Sequence, residues 1–241
     1  WLSGISAGVN ESLYKTSDGG QTWVADVYEI ELNNRNTNVL FKAQPSTVFA
    51  AGGLDDVNGF ILKSNDNGNL WQMVYQWTDN EVYSGTYISS NQIAVCGPNG
   101  FIQTSSDNGV SWSVPQIEDP QYTPILNEII FIDEFIGYCV GGQVGEDSTS
   151  LILRTIDGGL NWSIVYNETS PCLNAVEKVT ENILYAAGDY GIILKSEDGG
   201  LTWLKQDISV NPGQDIFAID FFNEHIGGFS GRWGNVIIYY D

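Results

Sequence analysis

Basic residues are scarce in this sequence: 9 Lys and Arg stand against 30 Asp and Glu, a formal net charge of −21. A surface of that sign repels phosphate backbones and anionic headgroups, so nucleic acid is not an expected partner and neither is the membrane surface. No apolar run approaches the roughly 18 residues of a spanning helix, so no membrane insertion is expected within these 241 residues. Histidine occurs once, at His225, and no Cys-x-x-Cys pair occurs, so no zinc site and no cofactor are expected. The acidic loops carry no EF-hand-like spacing, so no metal is assigned to them. Three cysteines are too few for a disulfide framework. Cys96, in Ile-Ala-Val-Cys-Gly, and Cys139, in Gly-Tyr-Cys-Val-Gly, read as equivalent strand positions where Ala51 and Ala187 stand elsewhere, and Cys172 completes the set. Helical periodicity is also rare. With 27 glycines, the chain reads as all-β.

What the sequence has in quantity is one phrase, written five times. Ser or Thr is followed two residues later by Asp, Gly follows Asp by two, and Trp follows Asp by five. The five pairs are Asp18 and Trp23, Asp66 and Trp71, Asp107 and Trp112, Asp157 and Trp162, and Asp198 and Trp203. A strand ending in Ser or Thr must turn back, and a short carboxylate accepts hydrogen bonds from the free N–H groups of its own turn. Gly supplies a positive φ there, and Trp opens the returning strand as an apolar anchor. Because an active site occurs once and a corner recurs in every repeat, these aspartates read as structural.

The aspartates are 48, 41, 50 and 41 residues apart, a period that with strand-turn-strand content predicts a β-propeller of four-stranded antiparallel blades. The blades fall at about 1–28, 38–75, 82–117, 126–167, 173–208 and 215–241 of one domain, parts of six blades in a six- or seven-bladed design. The outer two are incomplete: three strands at each end, with Asp241 where a sixth corner Asp would stand. Closure then requires further residues or a partner edge. The start at Trp1, without Met, is expected of a processed protein or a segment of a longer one.

The phrase resembles the Asp-box (BNR) repeat. The fuller run from Ala187 to Trp203, with the lead-in Ile129 to Tyr138, is similar to the photosystem II stability/assembly factor family of propellers. The resemblance covers nearly the whole chain and implies a non-catalytic scaffold that binds partner proteins. Sialidase, xyloglucanase and sortilin-type propellers carry the same box. The family's arginine-rich patch has no counterpart, since the only arginines are Arg35, Arg154 and Arg232.

Corners join third to fourth strands, so the loops between second and third strands and between blades gather at the opposite face. Those loops vary in length and composition, as binding loops do. Their aromatic and charged residues, Trp77, Tyr122, Tyr190, Arg232, Trp233, Asp55, Asp56, Glu146 and Asp147, are the candidate partner or ligand face. A sialidase-like site needs three converging arginines, but Arg154 fills the slot held by Lys15, Lys63 and Lys195 in other repeats. A xyloglucanase-like site needs two carboxylates across a cleft, for which Asp55/Asp56 and Glu146/Asp147 are the pairs available, and that resemblance implies two propellers. The expectation is a non-enzymatic scaffold for a protein partner or larger complex, working at an extracellular, periplasmic or cell-surface location, with glycan binding or glycoside hydrolysis as the alternative.

Overall fold

The computed structural model describes residues 2–4, 12–27, 36–54, 57–118, 123–207, 214–234 and 236–240. Asp55, Asp56, Tyr122, Arg35 and Asp241 lie outside the described residues. The described chain forms two compact units, 1–114 and 115–241.

The first unit holds three antiparallel sheets: β1 (Leu2–Gly4), β2 (Ser12–Lys15) and β3 (Val24–Val27); β4 (Asn36–Lys42), β5 (Val48–Leu54), β6 (Val57–Ser64) and β7 (Gln72–Gln76); and β8 (Ser84–Ser89), β9 (Gln92–Cys96) and β10 (Ile102–Ser105). The second holds β11 (Gln116–Ile117) with β12 (Ile125–Phe131), β13 (Gly137–Gln143), β14 (Thr149–Thr155) and β15 (Asn161–Thr169); β16 (Leu173–Lys178), β17 (Leu184–Gly188), β18 (Ile193–Ser196) and β19 (Leu204–Lys205); and β20 (Ile216–Asn223), β21 (Ile226–Gly231) and β22 (Val236–Tyr240). One sheet forms in each expected repeat. The exception is a fourth strand expected at Ser111–Val114, of which only the bridge between Thr104 and Ser113 forms. Pro115 supplies no ladder N–H and biases Val114 away from continuing. The chain instead runs β11 parallel to β15, an unexpected fifth strand, with Gln116 opposite Asn161 and Ile117 opposite Trp162.

Each corner closes on its Asp. In the fifth, the Ser196 hydroxyl donates to Asp198 Oδ1 (2.8 Å) and accepts from Gly200 N (2.8 Å), while Oδ1 accepts from Leu201 N (3.0 Å) and Thr202 N (2.9 Å). Thr202 Oγ1 adds a bond to Oδ2 (2.6 Å). Two successive residues take positive φ, which explains a second feature of the sequence: the position after Asp is Gly19, Asn67, Asn108, Gly158 or Gly199, at φ 57–74°. Asn tolerates that region better than other non-glycine residues. The anchors are uneven. Trp162 and Trp203 are buried, whereas Trp23 is 39% exposed. Trp23, Trp112 and Trp203 donate their indole N–H to the corner carbonyls of Gly20, Gly109 and Gly200.

Register corrects the expected equivalence of Cys96 and Cys139. Cys96 lies opposite Ile102, as Ala51 lies opposite Ile61 and Ala187 opposite Ile193; Cys139 lies opposite Leu153, matching Ala50 with Leu62 and Ala186 with Leu194. One residue of offset puts the two on opposite sheet faces. All three cysteines are buried and free.

A further constraint sits where each second strand ends. A Cβ on Gly52, Gly97, Gly141, Gly188 or Gly231 would lie 1.8–2.1 Å from the carbonyl oxygen of Asn36, Glu81, Ile125, Cys172 or Asp215. The first strand crosses so closely that no side chain fits. Gly188→Ala is expected to cost about 3 kcal/mol, the upper range for overpacking, measurable by chemical denaturation. Asp18, Asp107 and Asp198 are held at about 2 by their corner bonds, those from Thr22, Ser111 and Thr202 the largest. Carboxylates with folded pKa below the unfolded value of about 3.9 stabilise above that value, and their contribution is lost as pH falls toward 2. Asp198→Asn should therefore lower the melting temperature at pH 6, and the gap to wild type should close by pH 2.

Candidate functional site

Of the expected ligand residues, Trp77, Glu146, Asp147, Tyr190 and Arg232 are described with their side chains. Trp77 is core, not surface. Its ring is 8% exposed and packs on Tyr75, Phe101 and Trp112 at centroid distances of 4.9, 5.3 and 5.1 Å. The backbone N–H of Trp77 donates to Gly59 O (2.8 Å), which turns the residue back over a glycine whose missing side chain leaves room for the indole. Arg154 is likewise no ligand group. It lies over the Tyr138 ring at 5.9 Å, as Lys63 lies over Phe49 (5.7 Å) and Lys195 over Tyr185 (5.8 Å), each cation opposite its aromatic in register.

Glu146 and Asp147 stand in the loop after β13, on the rim of an open depression of about 430 Å³ with Thr123, Ile125, Gln143 and Val144. Both carboxylates are in one loop, adjacent in sequence, so they do not face each other across it.

Tyr190 and Arg232 do come together. Tyr190 sits in a 3₁₀ turn, Asp189–Gly191, and Arg232 in the next, Arg232–Gly234, which also carries the backbone of Trp233. Asp215 joins them: its Oδ1 accepts from Tyr190 N (3.2 Å) and its Oδ2 meets Arg232 Nη1 at 3.3 Å, while Arg232 N donates to its carbonyl (2.9 Å). The Tyr190 side chain is 69% exposed and its φ is +54°. The corresponding loop between β9 and β10, Gly97-Pro98-Asn99-Gly100, has Asn99 at φ +58° followed by Gly100 at +69°, as Tyr190 is followed by Gly191 at +75°. A bulky residue is strained there and Asn is not. The second unit thus spends conformational energy to display a phenol ring.

Several residues around this site gave no isolated signal. Asn127 and Asn174 occupy β-bulges at the start of β12 and β16. Their amides reach the next sheet: Asn127 Nδ2 donates to Leu173 O (2.7 Å), and Asn174 Nδ2 to Ile216 O (3.0 Å) and Asp189 Oδ1 (2.8 Å). Asn38 does the same in the first unit, to Val82 O (2.9 Å) and to the buried Glu81 (2.6 Å). The recurring Asn near the start of the first strand was the available signal. Below this belt, Glu128 Oε2 accepts from Val176 N (2.6 Å) and Glu177 Oε1 from Phe221 N (3.2 Å), so each carboxylate caps a free edge N–H of the following sheet.

No family model and no curated protein matches the sequence. Solved structures do. YCF48 bound to D1 peptide is 18% identical with a TM-score of 0.52, 97% of this chain and 86% of that chain being covered. YCF48 from Cyanidioschyzon merolae is 15% identical, TM-score 0.54, covering 94% and 87%. The fold is a β-propeller. It resembles that of the photosystem II assembly factor, and also the GH74 xyloglucanase from Xanthomonas campestris at 10% identity and TM-score 0.61. That last match covers 85% of this chain but only 36% of the enzyme.

Chemically, Asp215 ties the Tyr190 backbone to the Arg232 guanidinium, and the same turn exposes the Tyr190 side chain, a set suited to recognition. The nearby Cys172 thiol is pushed up to about 12 by burial and by Asp189, which keeps it protonated and inert as a nucleophile. Burial, reinforced by Glu177 and opposed by the Val176 bond, raises Glu128 to about 7. A carboxyl whose folded pKa is raised stabilises the fold below its unfolded value, and that contribution is lost as pH rises through 7. Glu128→Gln keeps an acceptor for Val176 N, so it should raise the melting temperature at pH 8.5 and leave it unchanged at pH 5.

Proposed function

We propose that this propeller is a non-catalytic protein-binding scaffold that takes a peptide segment of its partner on the loop face of the second unit. The observation that carries this reading is Tyr190, held exposed at φ +54° in a turn whose backbone shares Asp215 with Arg232, where the repeat elsewhere uses Asn99. Exposed aromatic and Arg pairs are the residue types that dominate binding energy at protein interfaces. The YCF48 structure determined with a D1 peptide supports the reading, because that protein shares the fold over nearly all of this chain. The partner and the peptide of this chain are its own, set by these loops. A location outside the cytoplasm belongs to the same proposal: a highly acidic surface with few basic residues keeps such a module soluble in salty, divalent-rich media.

A glycan reading rests on the depression beside Glu146 and Asp147 and on the GH74 likeness. It requires binding or turnover there rather than at Tyr190.

Selection of a displayed random-peptide library, run beside a polysaccharide panel, separates the two. Peptides should enrich, and Tyr190→Asn should weaken them by roughly tenfold or more, the scale of an interface hot spot, while its melting temperature holds or rises because Asn suits the turn. No enriched peptide, or peptides indifferent to both Tyr190→Asn and Arg232→Ala, would sink the proposal. Xyloglucan hydrolysis lost in Glu146→Gln would replace it with the glycan reading.

A further inference from the structure

One outer sheet edge in the second unit carries an added strand, and the bonds that hold it are few. β11 lies parallel to β15: Gln116 N donates to Leu160 O (2.9 Å), Glu118 N donates to Trp162 O (3.0 Å), and Glu118 Oε2 accepts from Ile164 N (2.7 Å). Two carbonyls and one N–H of β15 and the corner before it, on the side away from β14, are satisfied by this short segment.

The following sheet repeats that edge. Leu204 lies opposite Lys195 as Ser163 lies opposite Arg154, so Leu201 O, Trp203 O and Lys205 N are the register counterparts of Leu160 O, Trp162 O and Ile164 N. Among the described residues, nothing hydrogen-bonds to these three groups. β11 comes from the link that precedes its sheet, and the corresponding link before β16 is too short to do the same. It is Ser170-Pro171-Cys172, where Ser170 N already donates to Ser148 O and Pro171 O accepts from Ser150.

The two edges also differ in composition. Ser163, on the covered edge, is replaced by Leu204, which is 69% exposed, and Ile164 is replaced by the exposed Lys205. Leu204 lines a depression of about 310 Å³ with Lys195, Thr202 and Gln206. Gln116 stands opposite Asn161, so Gln116 and Glu118 share a sheet face with Asn161 and Ser163. The counterparts of that pair are Thr202 and Leu204, so a strand added here would carry its first and third side chains over the depression. A lysine on an edge deters indiscriminate pairing and suits a strand that arrives with a carboxylate.

We propose that the outer edge of β19 takes an extended acidic segment of a partner protein by parallel strand addition. The segment follows the pattern of Gln116-Ile117-Glu118: two N–H groups, two residues apart, for Leu201 O and Trp203 O, and a Glu at the second whose carboxylate accepts from Lys205 N. Main-chain bonds supply the affinity and the carboxylate supplies the selection. This site stands independently of the Tyr190 turn and uses none of its residues.

The chain's own capping sequence is the probe: a blocked synthetic peptide Ser-Val-Pro-Gln-Ile-Glu, copied from Ser113–Glu118, titrated into ¹⁵N-labelled protein. So few bonds make a complex of roughly millimolar Kd, which amide chemical-shift mapping reads. The Lys205 amide should move furthest, and a peptide with Gln in place of its Glu should bind several-fold more weakly. Lys205→Pro removes the outward N–H and keeps the bond from Gln206 N to Ile193 O, so it should abolish binding with little change in melting temperature. Lys205→Ala keeps that N–H and should still bind, and Tyr190→Asn should bind as wild type. A Lys205 amide unmoved at about 10 mM peptide, undiminished binding to Lys205→Pro, or shifts at Leu160–Ile164 instead, which mean displacement of β11, would each overturn the proposal.

Discussion

A backbone that turns back through two successive positive-φ residues leaves a run of N–H groups with nowhere to go. In this chain one carboxylate per repeat receives them. The hydroxyl two residues earlier completes the ring by accepting from the Gly N–H and donating to the same carboxylate. Asp is required because its side chain is short enough to reach its own turn, and Gly or Asn because the turn is left-handed. The rest of the architecture depends on this arrangement. Fixing the corner fixes the register of the third and fourth strands, and register decides which apolar side chains reach which face.

Between sheets the dependence passes to two close approaches. The glycine ending a second strand lets the first strand cross within contact distance, and in three sheets the crossing aims Asn38, Asn127 or Asn174 at a backbone carbonyl beyond its own sheet. In the second unit Gly200 lies so near Tyr138 that a Cβ there would meet the ring at 2.4 Å, and the Tyr138 hydroxyl donates to Gly199 O. The β12–β15 and β16–β19 sheets are thus joined by polar contacts at both ends and by apolar packing between. Glu128 and Glu177 run against that economy: each loses solvation to cap one edge N–H, and burial is the first cause of both raised pKa values.

The corners were legible because five copies remove coincidence, and their spacing alone gives strand order and the β-propeller. What failed to read did so for definable reasons. The fourth strand of the third repeat was lost to a single Pro115, whose effect depends on where the chain can go next. Trp77 reads as a loop aromatic because it follows the last strand of its sheet, and it is the packing on Tyr75, Phe101 and Trp112 that shows it turns inward. The offset between Cys96 and Cys139 is one residue, below what an unaligned pattern resolves but enough to change faces. Of the ligand face, Tyr190 and Arg232 were visible as residues, while Asp215, which brings them together, carried no signal beyond one more carboxylate in an acidic chain.

A repeat protein makes its own control experiment, since every position has counterparts in the same molecule. Departures then carry information that conformity does not. Where a counterpart is Asn in a left-handed turn and one copy places Tyr, the strain has a reason outside the turn. That departure points outward, toward a partner's chain.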